Sequence, residues 1–173
     1  MFKKGDTVVY GSNGTCIIEG TEKKKIGKEV YEYFCLKPVL QDNNLIYVPV
    51  KNESLISKIK KTLEFDELCD LISGSADIEP NWIADETQRR DTYKNILSSG
   101  DRKGIIGLTK ALYNEKTRRK NLGKKLRSND EILLKRAVNY LLSEFSTAVE
   151  LEYSQMLPLI MNEISPMDLK IKE

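Results

Sequence analysis

The sequence predicts an α+β chain of two domains, a small β-barrel over residues 1–60 followed by an all-helical domain of about five helices over residues 61–173. Short segments of period-two alternation fill the first part, and after Lys61 the apolar period becomes that of helices. The charges are also segregated along the chain rather than mixed. At 173 residues the chain has room for one large domain or two small ones.

The strands come first. Val8 to Tyr10 reads as a strand closed by the turn Gly11-Ser12-Asn13-Gly14, with Thr15 to Ile18 as the second arm of a hairpin. Lys23-Lys24-Lys25 and Gly27 read as a basic turn. Glu29 to Leu36 then alternates Tyr31, Tyr33 and Cys35 against Val30, Phe34 and Leu36, the pattern of a strand. Asp42-Asn43-Asn44 reads as another turn, and Leu45 to Val48 as a strand ended by Pro49. Four or five short strands in about 55 residues cannot cover a large core as an open sheet, so closure into a small barrel is expected.

The helical part begins with Phe65, Leu68, Cys69 and Ile72 at i, i+3, i+4 and i+7, with Gly74 as the expected stop. A second helix is expected over Asp85 to Ser98, and Asp101 is placed to cap a third that carries Ile105, Leu108 and Leu112. Gly123 should end that helix. Ser128 and Glu131 have the spacing of a capping box ahead of a long helix with Leu134, Val138, Leu141, Phe145 and Ala148 on one stripe. A short helix through Met156, Leu157, Ile160, Met161 and Ile164 follows, and Pro166 is expected to end the ordered part.

Composition narrows the function. Apolar residues at 40% and charged residues at 31% describe a globular protein with a polar surface. No apolar run reaches the ~18 residues of a membrane span, and MFKKGDTVVY lacks the apolar stretch of a signal peptide, so no membrane association and a cytoplasmic location are expected. The chain has no histidine, which removes the commonest general base and metal ligand. Cys16, Cys35 and Cys69 show no CxxC spacing and read as core-filling thiols. Gly104 and Gly107 lack the Lys-Ser or Lys-Thr of a phosphate loop. No enzyme, no cofactor and no metal is therefore expected.

The formal net charge of +2 hides an acidic stretch, Glu64 to Glu86, with no basic residue, and a strongly basic one from Arg89 to Arg127. The cluster from Lys116 to Arg127, with Arg118, Arg119, Lys124 and Lys125, reads either as a solvated helix end that complements the helix dipole or as a phosphate track. Trp82 is the only tryptophan and stands just before the basic stretch. It reads either as a core residue or as a wedge or stacking plate. Its neighbours Glu79, Pro80 and Asn81 form turns, and Asp85-Glu86 opens a helix, which places the ring on a loop or first turn.

The opening FKKGDTVVYGSNG, the strand Tyr47-Val48-Pro49, the helical second half with Trp82, and the run from Tyr93-Lys94 to Ser99-Gly100-Asp101 together resemble the CarD/CdnL family of bacterial transcription regulators. The first domain of that family is shared with transcription-repair coupling factor. The resemblance implies a Tudor-like (SH3-like) barrel that binds the β subunit of RNA polymerase. It also implies a helical domain that touches promoter DNA at the upstream edge of the melted bubble. There the family's tryptophan wedges into the minor groove and stabilises the open complex. Trp82 stands in that place, with Arg89, Arg90 and Lys94 positioned to neutralise phosphates. Ile83 to Gln88 separate Trp82 from this basic pair, which follows the tryptophan more closely in better-known members. At the polymerase face, Lys24 and Tyr47 stand where the family often carries arginines, followed by Val48 and Pro49. A monomeric, nucleoid-associated regulator is the expectation. The alternative from the residues alone is a free-standing, nonspecific nucleic-acid binder that does not depend on polymerase.

Overall fold

A computed structural model describes residues 2–40 and 44–172 of the chain. They fall into two compact units, Met1–Thr62 and Leu63–Glu173. Among the described residues no helix is long and apolar enough to cross a membrane.

The first unit is a five-stranded antiparallel sheet. Strands β1 (Thr7–Tyr10), β2 (Thr15–Ile26), β3 (Glu29–Pro38), β4 (Ile46–Pro49) and β5 (Ile59–Lys61) stand in the order β4-β3-β2-β1-β5. A closed barrel is not seen, because β4 and β5 are the two edges and do not pair with each other. Both are short, and the chain between them forms the one-turn helix α1 (Glu53–Ile56), capped by the Asn52 side chain accepting from the Leu55 N–H at 3.2 Å. Leu55 and Ile56 of α1 pack with Phe2, Tyr10, Phe34 and Ile46 around a core of Val8, Cys16, Ile18, Leu36, Val48 and Ile59. A helical turn thus supplies cover that barrel closure would otherwise give.

The β2–β3 hairpin is longer than the sequence suggests. Lys23, Lys24 and Lys25 are paired strand residues opposite Glu32, Tyr31 and Val30, and not a turn. The reversal falls at Gly27-Lys28, where Gly27 has φ +64°, as a two-residue hairpin with glycine first requires. Cross-strand pairing to Glu32 and Tyr31 gives three consecutive lysines a place in a strand that their own propensity would not. Asp42 and Asn43 of the expected third turn lie outside the described residues.

The second unit contains α2 (Phe65–Ser75), α3 (Glu86–Ser99), α4 (Arg102–Asn121), α5 (Ser128–Phe145) and α6 (Tyr153–Ile160). Residues Ile105 to Leu112 of α4 are buried without a break, so its first half is enclosed on all sides while its second half emerges as the basic segment. Lys110 lies in the enclosed half and donates its ammonium to the carbonyls of Ser75 and Ile78. That capping lets α2 run through Gly74, the expected stop, to Ser75.

Helix ends account for the remaining differences. Gly123 at φ +69° follows α4; its N–H reaches Lys120 O at 3.0 Å and the Lys124 N–H reaches Arg119 O at 2.8 Å, a Schellman ending. Asp101 occupies the N-cap position of α4 without a side-chain cap hydrogen bond. The Ser128–Glu131 capping box does not form, because Arg127 is the N-cap of α5 and the Glu131 carboxylate pairs outward with Lys116 at 2.8 Å. Pro166 does not end the ordered part: it opens a short 3-10 turn, and Ile171 bridges Val149.

The sheet core predicts a sharp contrast under urea unfolding. Leu36→Ala, at a fully buried position, should cost about 2–5 kcal/mol. Ile26→Ser, on the exposed end of the hairpin, should cost under about 0.5 kcal/mol. Equal losses would contradict this placement of the core.

Candidate functional site

In an antiparallel ladder, residues directly opposite each other share a face. Lys24 pairs with Tyr31, Glu22 with Tyr33, Tyr33 with Pro49, and Cys35 with Tyr47, so these side chains lie on the side of the sheet away from the core. The Lys24 ammonium sits 3.2 Å from the centroid of the Tyr47 ring, and Tyr33 meets Tyr47 edge-on at 6.4 Å. Of the four residues read from the sequence for this site, Lys24, Tyr47 and Pro49 share this face. Val48 points the other way and is fully buried in the core. Tyr31 and Tyr33 join the face unforeseen, although the alternation of Glu29 to Leu36 carried the signal. A hydrogen bond to Glu29 raises the Tyr31 phenol above its ordinary range.

In the second unit the centre is Trp82, 40% exposed on the segment between α2 and α3. Pro80 has no N–H, and the other backbone N–H groups of residues 79–84 make no backbone–backbone hydrogen bond among the described residues. Side chains hold the segment by its carbonyls instead. Tyr93, buried in α3, donates its hydroxyl to Asn81 O. Arg89, 1% exposed, donates Nη1 to Ile83 O at 2.8 Å and to Ala84 O at 3.2 Å. Its Nε and Nη2 meet the two carboxylate oxygens of Asp130 at 2.9 and 2.8 Å, a buried bidentate pair. The flat guanidinium lies 4.3 Å from the Trp82 ring centroid. Asp85 then starts α3 by accepting from the Gln88 N–H at 2.7 Å.

Arg89 and Arg90 therefore do different work. Arg89 faces inward and spends its charge on Asp130, so it is not offered to a phosphate. Arg90 and Lys94, one turn apart, face outward; Arg90 touches Asp91 at 3.1 Å in an exposed pair of little weight, and Lys94 makes no ion pair among the described residues.

Beside Trp82 lies a cleft of about 370 Å³ lined by Ala84, Arg89, Glu115, Arg118, Arg119, Arg127 and Asp130. Four arginines against two carboxylates leave it cationic. Arg118 grips Glu115 with two bonds of 2.7 and 2.8 Å, which hold that carboxyl below its usual range. Arg119 donates to Lys125 O at 2.7 Å, and Arg127 pairs with Glu86 at 2.5 Å. Trp82, Arg118 and Arg119 are thus brought together. Lys124 and Lys125 are exposed and line a different cleft with Lys116, Lys120, Leu126 and Ile132. Arg127, which closes the basic cluster in the sequence, was not singled out as a site residue, and Asp130 was missed altogether: nothing local marks it, since it meets Arg89 across 41 positions.

Residues 2–60 match the family model of the CarD-like/TRCF RID domain. The match supports an RNA polymerase-interacting domain and spans the sheet from before β1 into β5, stopping short of the second unit.

Burial, partly offset by Arg89, pushes the Tyr93 phenol from 10.0 up to about 12. A pKa raised by folding means the protonated phenol is favoured in the fold. Its contribution is complete below pH 10 and is lost as pH rises toward about 12. The urea midpoint should therefore fall over that window, and fall less steeply in Tyr93→Phe. Parallel pH profiles for the two proteins would contradict the assignment.

Proposed function

We propose that this protein is a non-enzymatic transcription regulator that binds the β subunit of RNA polymerase through its first unit and stabilises the promoter open complex through DNA contacts of its second. The observation that carries the reading is the polymerase-interacting domain match over a unit that presents Lys24, Tyr31, Tyr33, Tyr47 and Pro49 on one face. Aromatic rings with one paired cation are the composition of an interface centre.

For the second unit, the half-exposed Trp82 beside a cationic cleft supports a minor-groove wedge flanked by phosphate contacts. An apolar wedge offsets the cost of unstacking at a distorted step, and it does so best where the duplex is already opening. Arg118 and Arg119 border the ring, while Arg90 and Lys94 offer outward charge along α3. Lys124 and Lys125 extend the positive surface on a separate cleft. None of these presents a set of base-reading side chains, so sequence preference should be low. Polymerase supplies the local concentration that such weak contacts need. The protein acts as a monomer in the cytoplasm, associated with the nucleoid.

Lys94, Lys120, Lys124 and Lys125, exposed and without an ion pair among the described residues, favour a second reading, a nucleic-acid binder independent of polymerase.

Two measurements separate the readings. In retention of the intact chain by immobilised β subunit, Tyr47→Ala should weaken binding by about tenfold, as loss of an interface anchor does. In a competitor-challenged promoter complex with cognate polymerase, the protein should lengthen the open-complex lifetime, and Trp82→Ala should remove most of the gain. Tight, salt-sensitive binding to bare duplex with no effect on lifetime would favour the second reading.

A further inference from the structure

We infer that Arg89 and Tyr93 are positioning residues whose task is to present Trp82 as a rigid plate with one face covered and one face free for DNA. The inference rests on the wedge reading and deepens it.

The segment from Ile78 to Ala84 carries its own contradiction. Beyond Ile78, whose N–H reaches Ser75 O at 3.1 Å, it contains Pro80, which has no N–H, and its other amides make no backbone–backbone hydrogen bond among the described residues, so left alone it would move. Four of its carbonyls are nevertheless engaged by donors from within the fold: Ile78 O by Lys110, Asn81 O by Tyr93, and Ile83 O and Ala84 O by Arg89. All three donors are buried. The bonds bracket Trp82, falling on the residue before it and the two after it. Arg89 adds contact with the ring itself and is fixed in turn by both oxygens of Asp130.

A loop serving only as a connection would not need a buried, four-bonded arginine beneath its one large side chain. The half-exposed ring shows the opposite of what core packing would give, since the fold supports its backbone and one flank while leaving the rest to solvent. Such preorganisation lowers the ordering cost on contact, because the ring does not have to be immobilised at that moment. The covering cation also selects what the open face accepts. A second cation would be repelled, whereas a neutral nucleobase or sugar edge meets a π face already oriented toward it.

Trp82 is the sole tryptophan, so its fluorescence reports this loop alone. The test compares the intact protein with Tyr93→Phe, which deletes only the Asn81 anchor, and Arg89→Lys, which keeps the charge but loses the fork. Each is read by urea unfolding, by acrylamide quenching and anisotropy of Trp82, and by open-complex lifetime beside a Trp82→Ala control. Both variants should unfold cooperatively, show greater quenching and lower anisotropy, and shorten the lifetime toward the Trp82→Ala value. If Arg89→Lys does not fold, Tyr93→Phe decides. Unchanged quenching and anisotropy in a folded variant would overturn the inference. So would a mobile Trp82 with an undiminished lifetime, provided Trp82→Ala shortens it. A mobile ring with no effect from Trp82→Ala either would uphold the positioning and defeat the wedge reading instead.

Discussion

The buried pair of Arg89 and Asp130 is the constraint on which the second unit turns. Such pairs are poor sources of net stability, because taking both ions from water costs about what their attraction returns. Losing one partner is another matter, at about 3–5 kcal/mol, since the remaining charge is stranded. Here the loss would also strip two carbonyls of their donor and the Trp82 ring of its backing. Asp130 sits in the first turn of α5, where the helix dipole favours a carboxylate, so the acceptor is stabilised before the arginine arrives. One interaction therefore fixes α3, the start of α5 and the loop that precedes α3 in a single arrangement.

How much of this was legible follows from the range of each interaction. Local signals served well: the alternation of Glu29 to Leu36, the apolar stripes of α2 and α5, the glycine after α4 and the Asp85 cap each involve neighbours within a turn or a strand. Long-range partners defeated the local reading. Ser128 and Glu131 have capping-box spacing, yet Glu131 is drawn to Lys116. Gly74 looks like a stop, yet a lysine 35 residues away caps the carbonyl beyond it. Lys23 to Lys25 look like a turn because their strand partners lie across the hairpin. Arg89 and Arg90 are alike in sequence, and only the helical rotation of about 100° between them decides which is buried.

The two units handle exposed aromatic surface differently. In the sheet, Tyr31, Tyr33 and Tyr47 stand on strands whose hydrogen-bond ladder fixes them, and Lys24 lies across the Tyr47 ring. There the backbone supplies rigidity at no cost to the side chains. Trp82 has no ladder, so buried side chains must substitute for one. This difference explains why the sheet face is readable from alternation while the support of Trp82 is not.

The most direct test of the account follows Trp82 itself in the intact protein carrying 5-fluorotryptophan, with the fluorine resonance recorded as polymerase and promoter are added. The account predicts one sharp line in the free protein, little change with polymerase or duplex alone, and a distinct shift when polymerase holds a melted promoter. A shift of the same size on bare duplex, or no shift with the open complex, would contradict it.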